Sequence, residues 1–428
     1  VGFLLVNWRY ARSRLFMPFK DCLVPQSAQT ARSDDCYFKE RRFRGLGPQE
    51  DQILSAEKFE AGIHGRILLE GESGLGKTLF LERLAENSQN VAVLLKATDC
   101  AEGVIAAIQH RLHGIVRDDK FLEKLIFAGG MDIFIDGLNE APWETREKIK
   151  QFLKRPFHGS IILSTQRPSS VSVPEDFHQF TLLPLDPDQI RDFMLIQWED
   201  LKSTANFEEP AYRVAVSSYL ERIVVPNFAQ GQQSSQELLV LSNPMESRLA
   251  AELLARGEEP DVYRLVEQRV RLMEEDYRNK HGDSFPRKKL AECAFNSVLK
   301  SEGDAKAISL TGLDREAEVL VSHRLVRVGL ERESTHWYFR HDRVRDFFIL
   351  PAFTPPEAKK RRKEYVSDER FWGVYELLAG SPEFDAKDEE EFYRFLNRNA
   401  VSGKSVPPEL RGRYETAREN RVIDELKG

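Results

Sequence analysis

Cysteine is scarce in this 428-residue chain, and its four copies, Cys22, Cys36, Cys100 and Cys293, stand far apart with neither C-x-x-C nor metal-ligand spacing. That excludes a disulfide-stapled scaffold and a cysteine zinc site, and it fits a reduced, cytoplasmic setting. Long apolar runs are also missing. The opening stretch Val1-Gly-Phe-Leu-Leu-Val-Asn-Trp8 is too short to cross a bilayer. Its tryptophan and the following Arg9, Arg12 and Arg14 nevertheless fit the cytoplasmic end of a membrane helix lying upstream of Val1. A tether to the cytoplasmic face of a membrane therefore stays open beside a frayed amphipathic lead-in, and an opening valine in place of methionine reads as a fragment or processed product. Excess positive charge is lacking too: 62 Lys plus Arg against 69 Asp plus Glu leave a net charge of −7, a poor basis for nonspecific polyanion binding. There is no internal repeat of convincing period. The absence of an Asn-Lys-x-Asp guanine-reading motif argues against a GTPase.

What is present is a phosphate-binding signature. Gly71, Glu72, Ser73, Gly74, Leu75, Gly76, Lys77 and Thr78 spell G-x-x-x-x-G-K-[ST] between an apolar run, Arg66 to Glu70, and a helix-like run, Leu79 to Ala85. Glycines let such a loop turn successive N–H groups inward, and the helix after it offers unpaired donors and a positive dipole end to the same anion. Lys77 would place a point charge on the β/γ phosphates of a nucleotide, and Thr78 would ligate Mg²⁺.

A second motif supplies acid. Met131 to Asp136 is an apolar run ending in a carboxylate, followed by Gly137-Leu-Asn-Glu140. It looks like a Walker B strand. Asp136 would hold the magnesium through water, and Glu140 would polarise an attacking water for γ-phosphate hydrolysis. Further on, Ser160 to Ser164 reads as a short strand closed by Thr165-Gln-Arg-Pro168. Ligands in open α/β sheets bind outside the carboxyl ends of strands, so Arg167 is placed to sense the terminal phosphate. Gln179 to Leu183 is expected to end the sheet.

Together these motifs resemble the NACHT family of STAND P-loop NTPases, over about residues 60 to 350. The likeness rests on the loop 71–78, on Ile133-Phe-Ile-Asp-Gly-Leu-Asn-Glu140, on Thr165-Gln-Arg-Pro168 and on Leu182-Leu-Pro-Leu185. Asn139 stands where members often carry aspartate, which leaves Glu140 the one acid of that turn. The resemblance implies an α/β P-loop NTPase core, a parallel sheet with flanking helices, followed by a helical domain and a winged-helix domain. It further implies that Pro244 packs on the adenine, although proline in a first helical turn is also good helix chemistry. It also implies that His341, in Phe339-Arg-His-Asp342, reaches the β-phosphate of ADP and latches a closed state; the other reading is a polar residue satisfied locally at a helix start.

Length suggests about three units of typical size. The boundaries expected are 1–58 for the lead-in, 59–185 for the NTPase core, 186–284 for the helical domain, 285–353 for the winged helix and 354–428 for a helical tail. The functional expectation is an ATP-binding, slowly hydrolysing switch, closed with ADP, open and self-associating with ATP, whose effector and sensor partners are not legible. Two alternatives remain: a scaffold that binds nucleotide without turnover, and an AAA+ type ATPase whose wing reads DNA. The second has a poor electrostatic footprint, about a dozen basic against about ten acidic residues from Pro286 to Leu350. The run Lys359-Lys-Arg-Arg-Lys363 is either a solvated face or a contact for phosphates or anionic lipid.

Overall fold

A computed structural model describes residues 16, 20–24, 40–46, 53–62, 64–112, 119–166, 174, 176–228, 236–262, 264–300, 307–310, 312–323, 325–331, 334–381, 384–401, 410–412 and 414–418. They form two compact units, Val1–Leu265 and Val266–Gly428, where length suggests about three.

The first unit is built on a seven-stranded sheet. Its strands are β1 (Arg42–Leu46), β2 (Ile53–Ser55), β3 (Arg66–Glu70), β4 (Val91–Lys96), β5 (Met131–Asp136), β6 (Ile161–Thr165) and β7 (His178–Leu182), in the order β2-β1-β7-β3-β6-β5-β4. The five strands from β7 to β4 are parallel, and β4 and β6 are buried almost throughout, as strands covered on both faces are. Alternation sorts the side chains. Leu68, Ile133, Ile135, Ile161 and Leu163 share one core with the helices Val104–Arg111, Asp119–Leu125 and Trp143–Leu153. Ile67, Leu69, Phe134 and Ile162 point the other way, onto the helix Lys77–Asn87 through Phe80, Leu81 and Leu84.

The sheet corrects one expectation: β7 is its last strand in chain order, but the sheet is mixed rather than parallel. The strands β1 and β2 continue it in antiparallel sense, Phe43 opposite Leu182 and Leu54 opposite Phe43. The physical reason is that β7 would otherwise present an open edge of unpaired backbone groups. Phe43 secures the added strand by stacking on Phe59, with ring centroids 4.3 Å apart. No helix among the described residues is long and apolar enough to cross a membrane. The stub Val1 to Trp8 lies outside the described residues.

After β7 the first unit turns helical, with Pro187–Ile196, Trp198–Leu201, Glu209–Phe228, Gln236–Leu241 and Pro244–Ala255. Asp186 and Gln189 form a capping box at the first of these, and Asn243 caps the last through a bond from Met245 N.

In the second unit, the helix Arg287–Lys300 is followed by β8 (Ala307–Ile308), the helix Asp314–Ser322, and the hairpin β9 (Val326–Glu331) and β10 (Ser334–Phe339), with strand order β8-β10-β9. The expected hairpin is therefore present, with a short third strand beside it. The helices Asp342–Ile349, Lys359–Glu364, Trp372–Gly380 and Ala386–Val401 complete the unit around an aromatic core containing Phe295, Phe353, Phe371 and Tyr375.

The basic run is part of this packing. Lys359 pairs with Asp388 and Glu391, Arg361 with Glu292, and Lys363 with Glu391. Arg362, only 1% exposed, reaches Asp388 at 3.2 Å and the carbonyl of Pro355 at 3.0 Å. Its role is thus internal, a third outcome beside a solvated face and a phosphate contact. Nearby, Asp346 is buried against Arg345, and burial pushes its carboxyl up to about 6 despite the pull of that guanidinium. Gly373 has no room for a side chain, because a Cβ there would collide with Asp346 Oδ2.

Candidate functional site

The loop that follows β3 takes its shape from two glycines in the left-handed region, Gly74 at φ 83° and Gly76 at φ 89°. Gly76 is also the N-cap of the helix Lys77–Asn87. No side chain caps that helix and its first turn carries no acidic residue, so its positive end is not neutralised by its own sequence. A Cβ on Gly76 would meet nothing within 4 Å, which leaves open space beside the loop. Lys77 Nζ donates to the carbonyls of Gly71 at 2.7 Å and Glu72 at 2.8 Å. Glu72 and Ser73 are exposed, whereas Leu75 is buried in the core under β3 and anchors the loop, so its contribution to a ligand is confined to its backbone.

The acid motif meets this loop at Thr78. Thr78 Oγ1 donates to Asp136 Oδ2 at 2.7 Å, while Ser164 Oγ donates to Asp136 Oδ1 and accepts from Gly137 N at 2.9 Å. Strand alternation explains the meeting. With Ile135 and Leu163 turned to the far core, Asp136 and Ser164 face the helix that bears Thr78. A hydroxyl and a carboxylate are hard oxygen donors suited to Mg²⁺, which takes few protein ligands and fills its octahedron from phosphates and water. Among the described residues no group of three or more His, Cys, Asp or Glu is arranged to hold a metal.

Beyond Asp136 the chain turns through Gly137, at φ 74°, into the short turn Leu138–Glu140. The Glu140 side chain is exposed and folds beside Gly137, where an added Cβ would stand 3.1 Å from its carboxyl carbon. Asn139 Oδ1 accepts from Gln166 N at 3.0 Å and so ties this turn to the end of β6. Arg167 lies outside the described residues.

Pro244 is buried and is the first residue of the helix Pro244–Ala255, the position at which proline suits a helix start. Its neighbour Asn243 touches the loop, donating from Nδ2 to Ser73 O at 2.7 Å. His341, in the second unit, stands at the N-cap of Asp342–Ile349 without capping it through its side chain.

Three residues of this region escape sequence reasoning. Ser164 hides in an apolar strand, although a hydroxyl on the face shared with Phe134 and Ile162 is a usable signal. Asn243 carries the ordinary mark of an N-cap before proline. Glu70, the last residue of β3, is buried with Oε1 unpartnered, and burial raises its carboxyl above the usual range.

Comparison with known proteins gives no family. No family model matches the chain, and no curated protein does. Among solved structures, one described as the structural basis for katanin self-assembly is 16% identical and covers 47% of this chain and 76% of its own, with a TM-score of 0.24. A signal transduction ATPase with numerous domains (STAND) and a tetratricopeptide repeat sensor, from Pyrococcus horikoshii, is 16% identical over 92% of this chain and 58% of its own, with a TM-score of 0.37. Both scores are low, so the α/β P-loop NTPase character of the first unit rests on its own strand, loop and helix.

Proposed function

We propose that the chain binds ATP or ADP with Mg²⁺ at the loop Gly71 to Thr78 and works as a slowly hydrolysing, nucleotide-dependent switch of the NACHT/STAND type. The observation that carries the reading is the Thr78–Asp136 hydrogen bond at the start of a helix whose positive end its own first turn leaves uncompensated. In this reading Lys77 exchanges its two backbone carbonyls for β/γ phosphate oxygens. Thr78 and Asp136 hold the ion, which supplies neutralisation of phosphate charge. Ser164 keeps one oxygen of Asp136 occupied, so the other stays aimed at Thr78. Glu140 orients the attacking water, Arg167 senses the terminal phosphate and Pro244 meets the base. The second unit, with residues 285–353 as a winged helix and His341 as an ADP latch, completes the closed state, and ATP favours self-association. A cytoplasmic setting, with or without a membrane tether, belongs to the same proposal.

A scaffold without turnover is the second reading, favoured by Asn139. Its neutral amide serves the Gln166 backbone where a second acid would assist hydrolysis. A wing that reads DNA keeps the poor electrostatic footprint counted from Pro286 to Leu350, and the basic run beyond it offers little, since Lys359, Arg361, Arg362 and Lys363 are engaged with carboxylates.

The test is to denature the purified chain, chromatograph the released nucleotide, size the native protein with ADP or ATP added, and assay phosphate release. Copurified ADP, assembly with ATP and slow turnover are expected. Binding without turnover selects the scaffold, and a chain that takes up neither nucleotide overturns both readings.

A further inference from the structure

Asn243 does two jobs with one side chain. Its Oδ1 accepts from Met245 N at 3.0 Å and caps the helix Pro244–Ala255, while its Nδ2 donates to Ser73 O at 2.7 Å. The fit is close from the loop side as well, since a Cβ on Gly74 would come within 2.5 Å of Asn243 Oδ1. The segment is further tied to the sheet unit by Leu185 N donating to Ser242 O at 2.8 Å. The capped helix is itself well held, packing on Pro187–Ile196 and pairing Arg248 with Asp200 at 3.3 Å.

A peptide unit is planar and trans, so the Ser73 carbonyl and the Gly74 N–H point in opposite directions. Whatever holds the carbonyl therefore aims the N–H. We infer that Asn243 is a positioning residue of the nucleotide site: by holding Ser73 O it aims the Gly74 N–H as a phosphate donor, and it passes the state of that peptide to the helix beginning at Pro244. The inference rests on the nucleotide reading of the loop. Coupling of this kind is reciprocal, so a phosphate that settles the Ser73–Gly74 peptide also settles the helix start, and loss of the clamp weakens both.

Asn243→Ser separates the two jobs, because serine is about as good an N-cap as asparagine but is too short to keep the Ser73 bond. Hydrogen exchange and calorimetry with MgADP and MgATP read the result. In the parent, nucleotide should slow exchange at 71–78 and at 245–249. In Asn243→Ser the chain should stay folded, with the unfolding midpoint lowered by no more than one lost hydrogen bond, and affinity should fall by up to about tenfold, the most that one good hydrogen bond contributes. Slowing at 71–78 should persist while that at 245–249 is lost. Gly74→Ala, which displaces Asn243 from the other side, should lose the same 245–249 response. A variant that binds and responds as the parent does overturns this inference alone. A parent whose 71–78 segment ignores nucleotide overturns the nucleotide reading as well.

Discussion

The chain holds its cations in two contrasting ways. In the first unit, Lys77 is held by the carbonyls of Gly71 and Glu72, dipoles of the loop itself. In the second, Lys359, Arg361, Arg362 and Lys363 are paired with the carboxylates of Asp388, Glu391 and Glu292, of which Asp388 is buried. Arg361 and Arg362 also donate to backbone carbonyls. A carbonyl is neutral, so giving it up for a phosphate oxygen leaves only a dipole to be solvated. A buried carboxylate differs, since removing its partner strands a charge in a poor solvent. Density of positive charge along a sequence thus says less about ligand binding than what the charges are attached to.

Breaking the buried pair should give the largest effect. Arg362→Ala leaves Asp388 short of its buried partner and is expected to cost about 3–5 kcal/mol in the unfolding of the second unit, read by denaturant titration. A loss under about 1 kcal/mol would put the run back among solvated charges. Lys77→Ala should do the opposite, leaving stability nearly unchanged while weakening nucleotide about ten- to a hundred-fold, the worth of a hydrogen bond to a charged group. Equal effects of both variants on both measurements would erase the distinction.

Smaller effects sharpen it. Ser164→Ala frees Asp136 Oδ1 and should raise the Mg²⁺ concentration needed for half-maximal nucleotide binding several-fold, with metal-free ADP binding unchanged. If metal-free binding falls equally, Ser164 merely supports the strand. A separate effect is on pH dependence. The Asp346 carboxyl is held above its unfolded value, so the native state binds more protons in the window between about 4 and 6. Its contribution to stability is therefore largest at acid pH and is lost as pH rises through about 6. Asp346→Asn should remove that slope from unfolding free energies measured across the window, and an unchanged slope would assign it to other groups.

Much of the first unit was legible in the sequence because its signals are local. The strand Arg66–Glu70, the glycine loop and the run Met131–Asp136 announce themselves by apolar continuity and fixed spacing. What stayed hidden depends on pairing at a distance. The strand Arg42–Leu46 is short and carries two arginines, and only the open edge of β7 gives it a place. Ser164 acquires its role from a neighbouring strand 28 positions away, and Asn243 from a loop 170 positions away. The basic run reads as a surface feature until Asp388 is seen to come from a later helix.

The central claim is that Gly71 to Thr78 is a working nucleotide site whose lysine is held in reserve by carbonyls. Titration calorimetry of MgADP into the parent chain and into Lys77→Ala tests it most directly. The account predicts one bound nucleotide per chain in the parent and a clear loss in the variant. Equal affinities, or no heat in either, would contradict it.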